Sequence, residues 1–291
     1  MKKLVYTFKN DTLFKMLFVQ YPNLLKQLVS ELLGIRLESI GNFTIINPEM
    51  PPESLGEKFC RLDINMTVDG QRVDLEIQVK NEGDYPERVL YYWARDYSTA
   101  LPEAGDYFDL PHTVIISIID FNLFDCADFH SEFKPLEIKR HEILTDKMSL
   151  HFYELQKIPL TINRENMLLL WLSLFKAETE EELAKLEASE APIMKEAINA
   201  YNKITVTKEF QEMERLRSIA RHNEASALRH ARSEGRTEGR AEGRAEGKAE
   251  GRAESTLFIA KNAINMNIKT EDIMKITGLS YDEIEKLHKK D

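Results

Sequence analysis

Two stretches of alternating apolar and polar residues, on either side of an Asp-Gly pair, constrain the fold of this chain more than any other feature. The stretches lie between Phe59 and Val68 and between Gln71 and Lys80. Alternation with a period of two is typical of β-strands that bury one face, and Asp-Gly is a preferred pair for a two-residue hairpin loop. The pattern therefore predicts an antiparallel β-hairpin with Asp69-Gly70 as its turn.

The register of this predicted hairpin brings two carboxylates together. Counting outward from the turn pairs Asn65 with Asp74, Asp63 with Glu76, and Arg61 with Gln78. Direct cross-strand partners have β-carbons about 4.5 to 5.5 Å apart, so like charges destabilise the sheet there unless a cation lies between them. Asp63 and Glu76 are therefore candidate ligands for a hard divalent cation. The alternative is an ordinary hairpin with one solvated polar face, and a bulge near the turn would change the pairing.

Three helices are predicted around the hairpin. Asn10 or Asp11 can cap the first, and Pro22 interrupts the pattern before a second helix that ends at Gly34. Pro86 suits the first position of the third helix. The apolar stripe predicted for this third helix consists of Leu90, Trp93, Ala94, Tyr97 and Leu101.

The later patterns complete an α/β arrangement. His112 to Asp120 is predicted to be a buried strand, Ser149 to Leu155 a further strand, and Arg164 to Phe175 a buried helix. The order from the first helices to the buried strand is α, β, β, α, β. Beyond residue 176 the chain is predicted to be helical.

Charge and composition limit the possible functions. The formal net charge is −10, so any contact with DNA must use a local basic patch. Cys60 and Cys126 have no metal-type spacing, the histidines at 112, 130, 141 and 151 are dispersed, and the chain has no glycine-rich phosphate loop. The apolar runs are too short to span a bilayer. These observations predict a cytoplasmic protein with free thiols and no membrane association.

Four short motifs occur in order between residues 8 and 155. They are Asn10-Asp11-Thr12-Leu13-Phe14-Lys15, Arg61-Leu62-Asp63-Ile64, Glu76-Ile77-Gln78 and Glu87-Arg88-Val89-Leu90-Tyr91-Tyr92-Trp93. Together they resemble the recombination-promoting nuclease and transposase group of the PD-(D/E)XK superfamily, in which a Glu-Gly-Arg tail is also common. The resemblance implies a restriction-endonuclease-like mixed sheet flanked by helices, followed here by an all-helical C-terminal region.

The same resemblance implies magnesium-dependent cleavage of DNA, with Mn²⁺ as an alternative cation. Asp63 and Glu76 would be the metal ligands, and the main-chain carbonyl of Ile77 would complete the set. Gln78 stands where the superfamily has lysine; glutamine can orient a water but supplies no positive charge. Asp11 matches the acidic residue of the N-terminal motif and is a further catalytic candidate, although aspartate at a helix start is commonly only a cap.

Positive charge near these residues would have to hold the DNA phosphates. The basic residues nearest to the predicted site are Lys15, Arg61, Lys80, Arg88 and Arg95. Lys80, two residues after Gln78 and on the same strand face, could also replace the missing lysine charge. The alternative for each is a solvated side chain without a DNA contact.

A four-residue repeat of Glu-Gly-Arg followed by alanine or threonine begins at Glu234 and dominates the C-terminal region. In a helix, like charges would stack at i and i+4 and each glycine would cost about 1 kcal/mol, which argues against a solitary rigid helix. Self-association through small residues and complementary charges, making the protein a homo-oligomer, is one interpretation, and a flexible linker is the other. Thr277-Gly278-Leu279-Ser280 predicts a helix-turn-helix, whose acidic second helix favours an interaction module over DNA reading.

The predicted domain organisation has four parts. Residues 1–160 form the nuclease-like domain, 161–232 a helical extension, 233–254 the repeat arm and 255–291 a small helical module. The leading hypothesis is a metal-dependent DNA endonuclease associated with recombination or transposition. The alternatives are a nucleic-acid-binding protein that keeps the fold without cleavage, and an assembly protein driven by the repeat.

Overall fold

The architecture is a mixed β-sheet with helices on both faces, followed by a long helical region. The computed structural model describes residues 2–46, 64–101, 105–159, 161 and 165–288. In this part the strands form one six-stranded sheet in the order β1-β2-β3-β4-β6-β5. The strands are β1 (Phe43–Ile45), β2 (Ile64–Val68), β3 (Gln71–Gln78), β4 (Thr113–Ile119), β5 (His130–Phe133) and β6 (Met148–Glu154). The predicted fold class is confirmed.

The helices account for most of the remaining described chain. They are α1 (Asp11–Gln20), α2 (Pro22–Leu33), α3 (Tyr85–Thr99), α4 (Met167–Lys176), α5 (Glu180–Glu187), α6 (Pro192–Thr205), α7 (Lys208–Asn265), α8 (Thr270–Thr277) and α9 (Tyr281–His288). The predicted caps of the first two helices are present: the Asn10 side chain accepts from the Leu13 amide, and Gly34 ends α2 with a φ of 65°. No helix in the described segments is long and apolar enough to cross a membrane.

The hairpin between β2 and β3 has the predicted turn and register. Asp69 and Gly70 have φ values of 48° and 82°, as a two-residue loop with two left-handed residues requires. Asn65 lies opposite Asp74, and the last described pair is Ile64 with Leu75. Arg61 and Asp63 lie outside the described residues, so their pairing with Gln78 and Glu76 remains a prediction.

Apolar and polar side chains alternate along β3, so they lie on opposite faces of the sheet. Val73, Leu75 and Ile77 belong to the main core, which also contains the apolar faces of α1, α2, α4 and α6. The opposite face has a smaller core in which Tyr85 and Val89 of α3 pack with β4 and β6. The polar residues of β3 lie on this second face, beneath α3.

The predicted apolar stripe of α3 was wrong in part, since Trp93 packs against the smaller core but other members do not. Leu90 is 48% exposed and Ala94 is also exposed, whereas the buried positions are Tyr85, Val89 and Asp96. Hydrophobicity alone does not indicate the buried face of α3, because the buried residue near the end of this helix is Asp96, which has polar partners. The short strands β1 and β5 were also missed, since three or four residues show too little alternation to indicate a strand.

The described chain divides into two compact units, residues 1–215 and 216–291. The repeat, for which a self-associating helix and a flexible linker were the two interpretations, lies within α7, which is helical over 58 residues. Alanine, glutamate and arginine are strong helix formers, and they offset the cost of one glycine in four. Within the second unit, Ala260 and Ala263 of α7 pack against Ile273 of α8 and Ile284 of α9. The predicted helix-turn-helix is confirmed, with Gly278 ending α8 at a φ of 75°.

Candidate active site

A row of polar residues follows one face of β3 toward the carboxyl end of the strand. It consists of Arg72, Asp74, Glu76 and Gln78. Asp74 is fully buried, Glu76 is 6% exposed and Gln78 is half-buried. The row therefore has its buried members, Asp74 and Glu76, in the middle and the half-buried Gln78 at the carboxyl end of the strand.

Glu76 is the predicted metal ligand that the structure describes. It lies beside Ser117 of the parallel strand β4, and both side chains are buried. A buried carboxylate is costly unless protein groups or a cation compensate its charge. Oxygen donors of this kind fit Mg²⁺ or Mn²⁺ better than a softer metal. The other predicted ligand, Asp63, precedes Ile64 in the segment outside the described residues, and the described residues contain no group of three His, Cys, Asp or Glu that could hold a metal.

Gln78 occupies the end of the row. Its side-chain Nε2 donates to the main-chain oxygen of Lys80 at 2.9 Å. This hydrogen bond orients the amide, and its carbonyl oxygen can accept a hydrogen bond from a water. Lys80 itself is exposed just beyond the strand, so its charge lies at the accessible end of the row.

The N-terminal motif reaches the same end of the sheet. The Asp120 main-chain amide, directly after β4, donates to the main-chain oxygen of Gln78 at 2.9 Å. The Asp120 carboxylate accepts from Lys9 Nζ at 2.5 Å, and Lys9 also pairs with Glu178 at 3.2 Å. Lys9, two residues before Asp11, is therefore tied to the carboxyl end of β4. Asp11 is exposed in the first turn of α1, and the N-cap of that helix is Asn10.

The predicted DNA-binding residues have different surroundings. Arg88 forms an ion pair with Glu82 at 3.0 Å and lies 5.0 Å from the ring centre of Tyr85. Lys15 is half-buried on α1, and Lys80 is exposed. Arg61 lies outside the described residues. The contacts of Arg88 fix it at the start of α3, so part of its charge is already balanced by a neighbouring carboxylate.

Sequence reasoning missed a buried polar cluster formed by Asn65, Arg72, Asp74 and Asp96. Asn65 Nδ2 donates a short hydrogen bond to Asp74 and a longer one, 3.4 Å, to Asp96. Arg72 Nη1 lies 2.6 Å from Asp96 Oδ1 and 3.0 Å from the Asp96 main-chain oxygen. The predicted pairing of Asn65 with Asp74 was a signal for this cluster, but Asp96 could be added only once the packing of α3 was known.

Charge within this cluster is only partly compensated. Burial raises the pKa of the Asp74 carboxyl well above its usual value, and the nearby Asp96 raises it further, whereas the hydrogen bond from Asn65 and the charge of Arg72 lower it. The Oδ2 atoms of Asp74 and Asp96 are buried without a hydrogen-bond partner in the described part of the chain. The cluster therefore ties α3 to the hairpin at a cost in desolvation.

A second polar cluster lies on the other face of the sheet, on β5 and β6. Three histidines that are dispersed in the sequence come close together here. His130 Nε2 and His151 Nδ1 share a hydrogen bond of 3.1 Å, His151 Nε2 is 4.0 Å from Glu132, and His112 contacts Ser149 at 3.1 Å. Burial lowers the pKa of His151 to about 4. Neutral imidazole is therefore the form that the folded protein favours.

Acidification is expected to destabilise the fold through His151. Its folded pKa of about 4 is below the ordinary 6.5, so the unfolded chain binds more protons between these values and stability falls as pH decreases through this window. The loss is at most about 3 kcal/mol. Urea unfolding at pH 7 and pH 5 should show a smaller loss for His151→Gln than for wild type. His141→Gln, at an exposed position, is the control and should keep the wild-type dependence.

Comparison with known proteins assigns the chain to a class and then to a family. The mixed sheet with flanking helices is that of the PD-(D/E)XK class of nuclease folds. A family model described as PD-(D/E)XK nuclease family transposase matches residues 8–231. The chain therefore belongs to the PD-(D/E)XK nuclease family transposases, and this membership supports a nuclease or transposition role. Neither the curated proteins nor the solved structures gave a match.

Proposed function

We propose that this protein is a metal-dependent DNA endonuclease that hydrolyses phosphodiester bonds during recombination or transposition. The observation that carries the proposal is the placement of Glu76, a buried carboxylate on the central strand β3, two residues before the accessible Gln78. The described hairpin register ends at Ile64 opposite Leu75. If the same register continues by one pair, Asp63 would lie opposite Glu76 and serve as the second ligand.

The chemistry divides between the bound cation and the residues of the chain. Asp63 and Glu76 would hold Mg²⁺, or Mn²⁺, together with the main-chain carbonyl of Ile77. When bound, the cation supplies charge to the phosphoryl oxygens and lowers the pKa of its water. Gln78 then orients the attacking water through its amide oxygen, and Asp11, at the same end of the sheet, is a further acidic group for binding water or metal.

DNA binding must overcome the net charge of −10. Lys15, Arg61, Lys80 and Arg88 are the proposed phosphate contacts. Because such contacts release counterions, DNA affinity should fall steeply as salt concentration rises. Lys80 has a second role in the proposal: it lies at the accessible end of the row and supplies the positive charge that Gln78 lacks.

Plasmid nicking by the purified full-length chain tests the proposed function. Supercoiled DNA should be converted to the nicked or linear form when magnesium or manganese is present, and EDTA should stop the conversion. DNA binding without conversion, under either cation, would instead favour a binding protein that keeps the fold and lacks cleavage. The observation that favours this second candidate is Gln78 in the position of the superfamily lysine.

Gln78→Lys is expected to retain or raise cleavage activity. Lysine at this strand position supplies a positive charge beside the phosphate, whereas glutamine only orients water. Initial cleavage rates should be compared at saturating magnesium, with Gln71→Lys, at an exposed position at the other end of β3, as the control for added charge. Loss of all activity in a folded Gln78→Lys protein would show that the amide has a role that lysine cannot replace.

The repeat in α7 is proposed to make the protein a homo-oligomer. Its glutamates and glycines recur every fourth residue, as do its arginines and alanines apart from Lys248 and Thr237, and these positions are exposed. Between two copies, arginines of one helix can face glutamates of the other while the small residues allow close approach. Pairing would bring two nuclease domains together, as cutting both strands of a duplex requires. The proposed location of this assembly is the cytoplasm.

Truncation after Arg232 is expected to lower the oligomeric state. Removal of the repeat removes the surfaces proposed to associate, so light scattering should give a smaller mass relative to the calculated chain mass. A second variant with the arginines of the repeat changed to glutamate keeps the chain length and should also dissociate, since like charges would then face each other. Equal association of all three proteins would show that the repeat is only a linker.

A further inference from the structure

Glu214, in the second turn of α7, contacts both neighbours of Asp11. Its Oε2 accepts from Asn10 Nδ2 at 2.8 Å, and its Oε1 accepts from Thr12 Oγ1 at 2.5 Å. Asn10 and Thr12 are the residues on either side of Asp11 in the N-terminal motif. A single carboxylate therefore holds the two residues that determine where the Asp11 backbone lies.

The contact is well anchored at both of its ends. Thr12 is fully buried, and Asn10 uses its other side-chain atom, Oδ1, to cap α1. On the α7 side, Phe210 is fully buried and packs edge to face on Tyr6, with ring centres 4.8 Å apart. Because both partners are fixed, the carboxylate has little freedom to move without moving the motif.

The N-terminal motif is thus held from two directions. Lys9 binds Asp120 at the carboxyl end of β4, which fixes the segment against the sheet. Glu214, on α7, holds Asn10 and Thr12 from the other side. The Asp120 main-chain amide also donates to the main-chain oxygen of Gln78, so the same set of contacts reaches the backbone at the end of the proposed catalytic row.

We infer that Glu214 is a positioning residue that sets Asp11 at the active site and makes that site depend on α7. The inference rests on the proposed function. Glu214 reaches neither substrate nor metal in this scheme; it acts through Asn10 and Thr12. Because α7 also contains the repeat, events that disturb the start of this helix would alter the catalytic rate without touching a catalytic residue.

Glu214→Ala tests the inference, with Glu212→Ala as the matched control. Glu212 lies two residues before Glu214 on the same helix and is exposed. Among the contacts described it binds only Arg215, at 2.7 Å. Both variants remove one glutamate from the same helix. In the full-length protein, Glu214→Ala should lower kcat by about 10- to 100-fold with KM changed less than twofold, as expected for a misplaced catalytic group. Glu212→Ala should match wild type.

Hydrogen exchange gives a readout that does not need cleavage. Amides of residues 10–14 should exchange faster in Glu214→Ala than in Glu212→Ala, because the contacts that hold the start of α1 are lost. Glu214→Gln, which keeps an acceptor oxygen and is the variant to use if alanine prevents folding, should give intermediate exchange and kcat. An inactive wild type would overturn the proposed function and the assignment together. Unchanged exchange or unchanged kcat in Glu214→Ala, with an active wild type, would overturn the inference alone.

Discussion

Glu76→Ala is expected to abolish magnesium-dependent cleavage while the protein still folds. Loss of a metal ligand removes several kcal/mol of transition-state stabilisation, which corresponds to a rate decrease of at least about 10³-fold. Glu76 is only 6% exposed, so alanine also removes a buried carboxylate whose desolvation is costly. Glu76 does not belong to the apolar face of β3, so thermal unfolding without magnesium should show that the variant still folds, and cleavage should be measured in parallel on the same preparation.

Asp63→Ala should give the same loss, because the two carboxylates are proposed to share one cation. Glu38→Ala, at an exposed position on the short turn between α2 and β1, is the control and should cleave at the wild-type rate. Isothermal titration with Mn²⁺ adds a readout independent of cleavage, in which both site variants should bind more weakly. Wild-type cleavage by a folded Glu76→Ala protein would remove the proposed site from β3.

Arg72→Ala is expected to cause the largest loss of stability among the substitutions considered. Arg72 Nη1 binds the carboxylate and the main-chain oxygen of Asp96 and lies 3.3 Å from Thr99 Oγ1. Its removal leaves Asp96, which is 8% exposed, beside Asp74 without the one cation that the described contacts give it. Breaking a buried pair in this way costs about 3 kcal/mol, at the lower end of the usual range because Arg72 is 24% exposed.

Denaturant unfolding of Arg72→Ala should be compared with that of Arg140→Ala. Arg140 is 63% exposed and pairs with Glu142 at 3.2 Å, so its removal should change the midpoint little. An additional Asp96→Leu substitution should recover part of the stability of Arg72→Ala, since it removes the uncompensated charge. If Arg72→Ala and Arg140→Ala unfold at the same denaturant concentration, the cluster beneath α3 contributes nothing to holding the hairpin.

The parts of the fold that the sequence predicts are those governed by local patterns. The Asp69-Gly70 turn, the pairing of Asn65 with Asp74 and the buried strand β4 follow from alternation, loop chemistry and a continuous apolar run. The face of α3 could not be predicted, because Asp96 is buried through its partner Arg72 rather than through its own hydropathy. The sequence left the helicity of the repeat undecided, because the cost of glycine was weighed without the gain from its helix-forming neighbours.

The candidate site divides in a similar way. Glu76 and Gln78 follow from the alternation of β3 and the resemblance of the motif. The approach of the N-terminal motif depends on which strand ends meet, and that is fixed by the parallel pairing of β3 with β4. The contact of Glu214 with Asn10 and Thr12 joins residues about 200 positions apart, so no local pattern indicates it.

The continuous helix through the repeat also means that the number of repeat units can change in steps. Each unit has four residues, which add about 6 Å of helix and turn everything beyond them by about 40° past a complete revolution. A duplication or deletion of twelve nucleotides keeps the reading frame and the helical pattern of α7. The number of repeat units would thus set the distance and the angular position of the α8–α9 module relative to the start of the repeat. Genes with different numbers of units would encode helices of different length without any new fold.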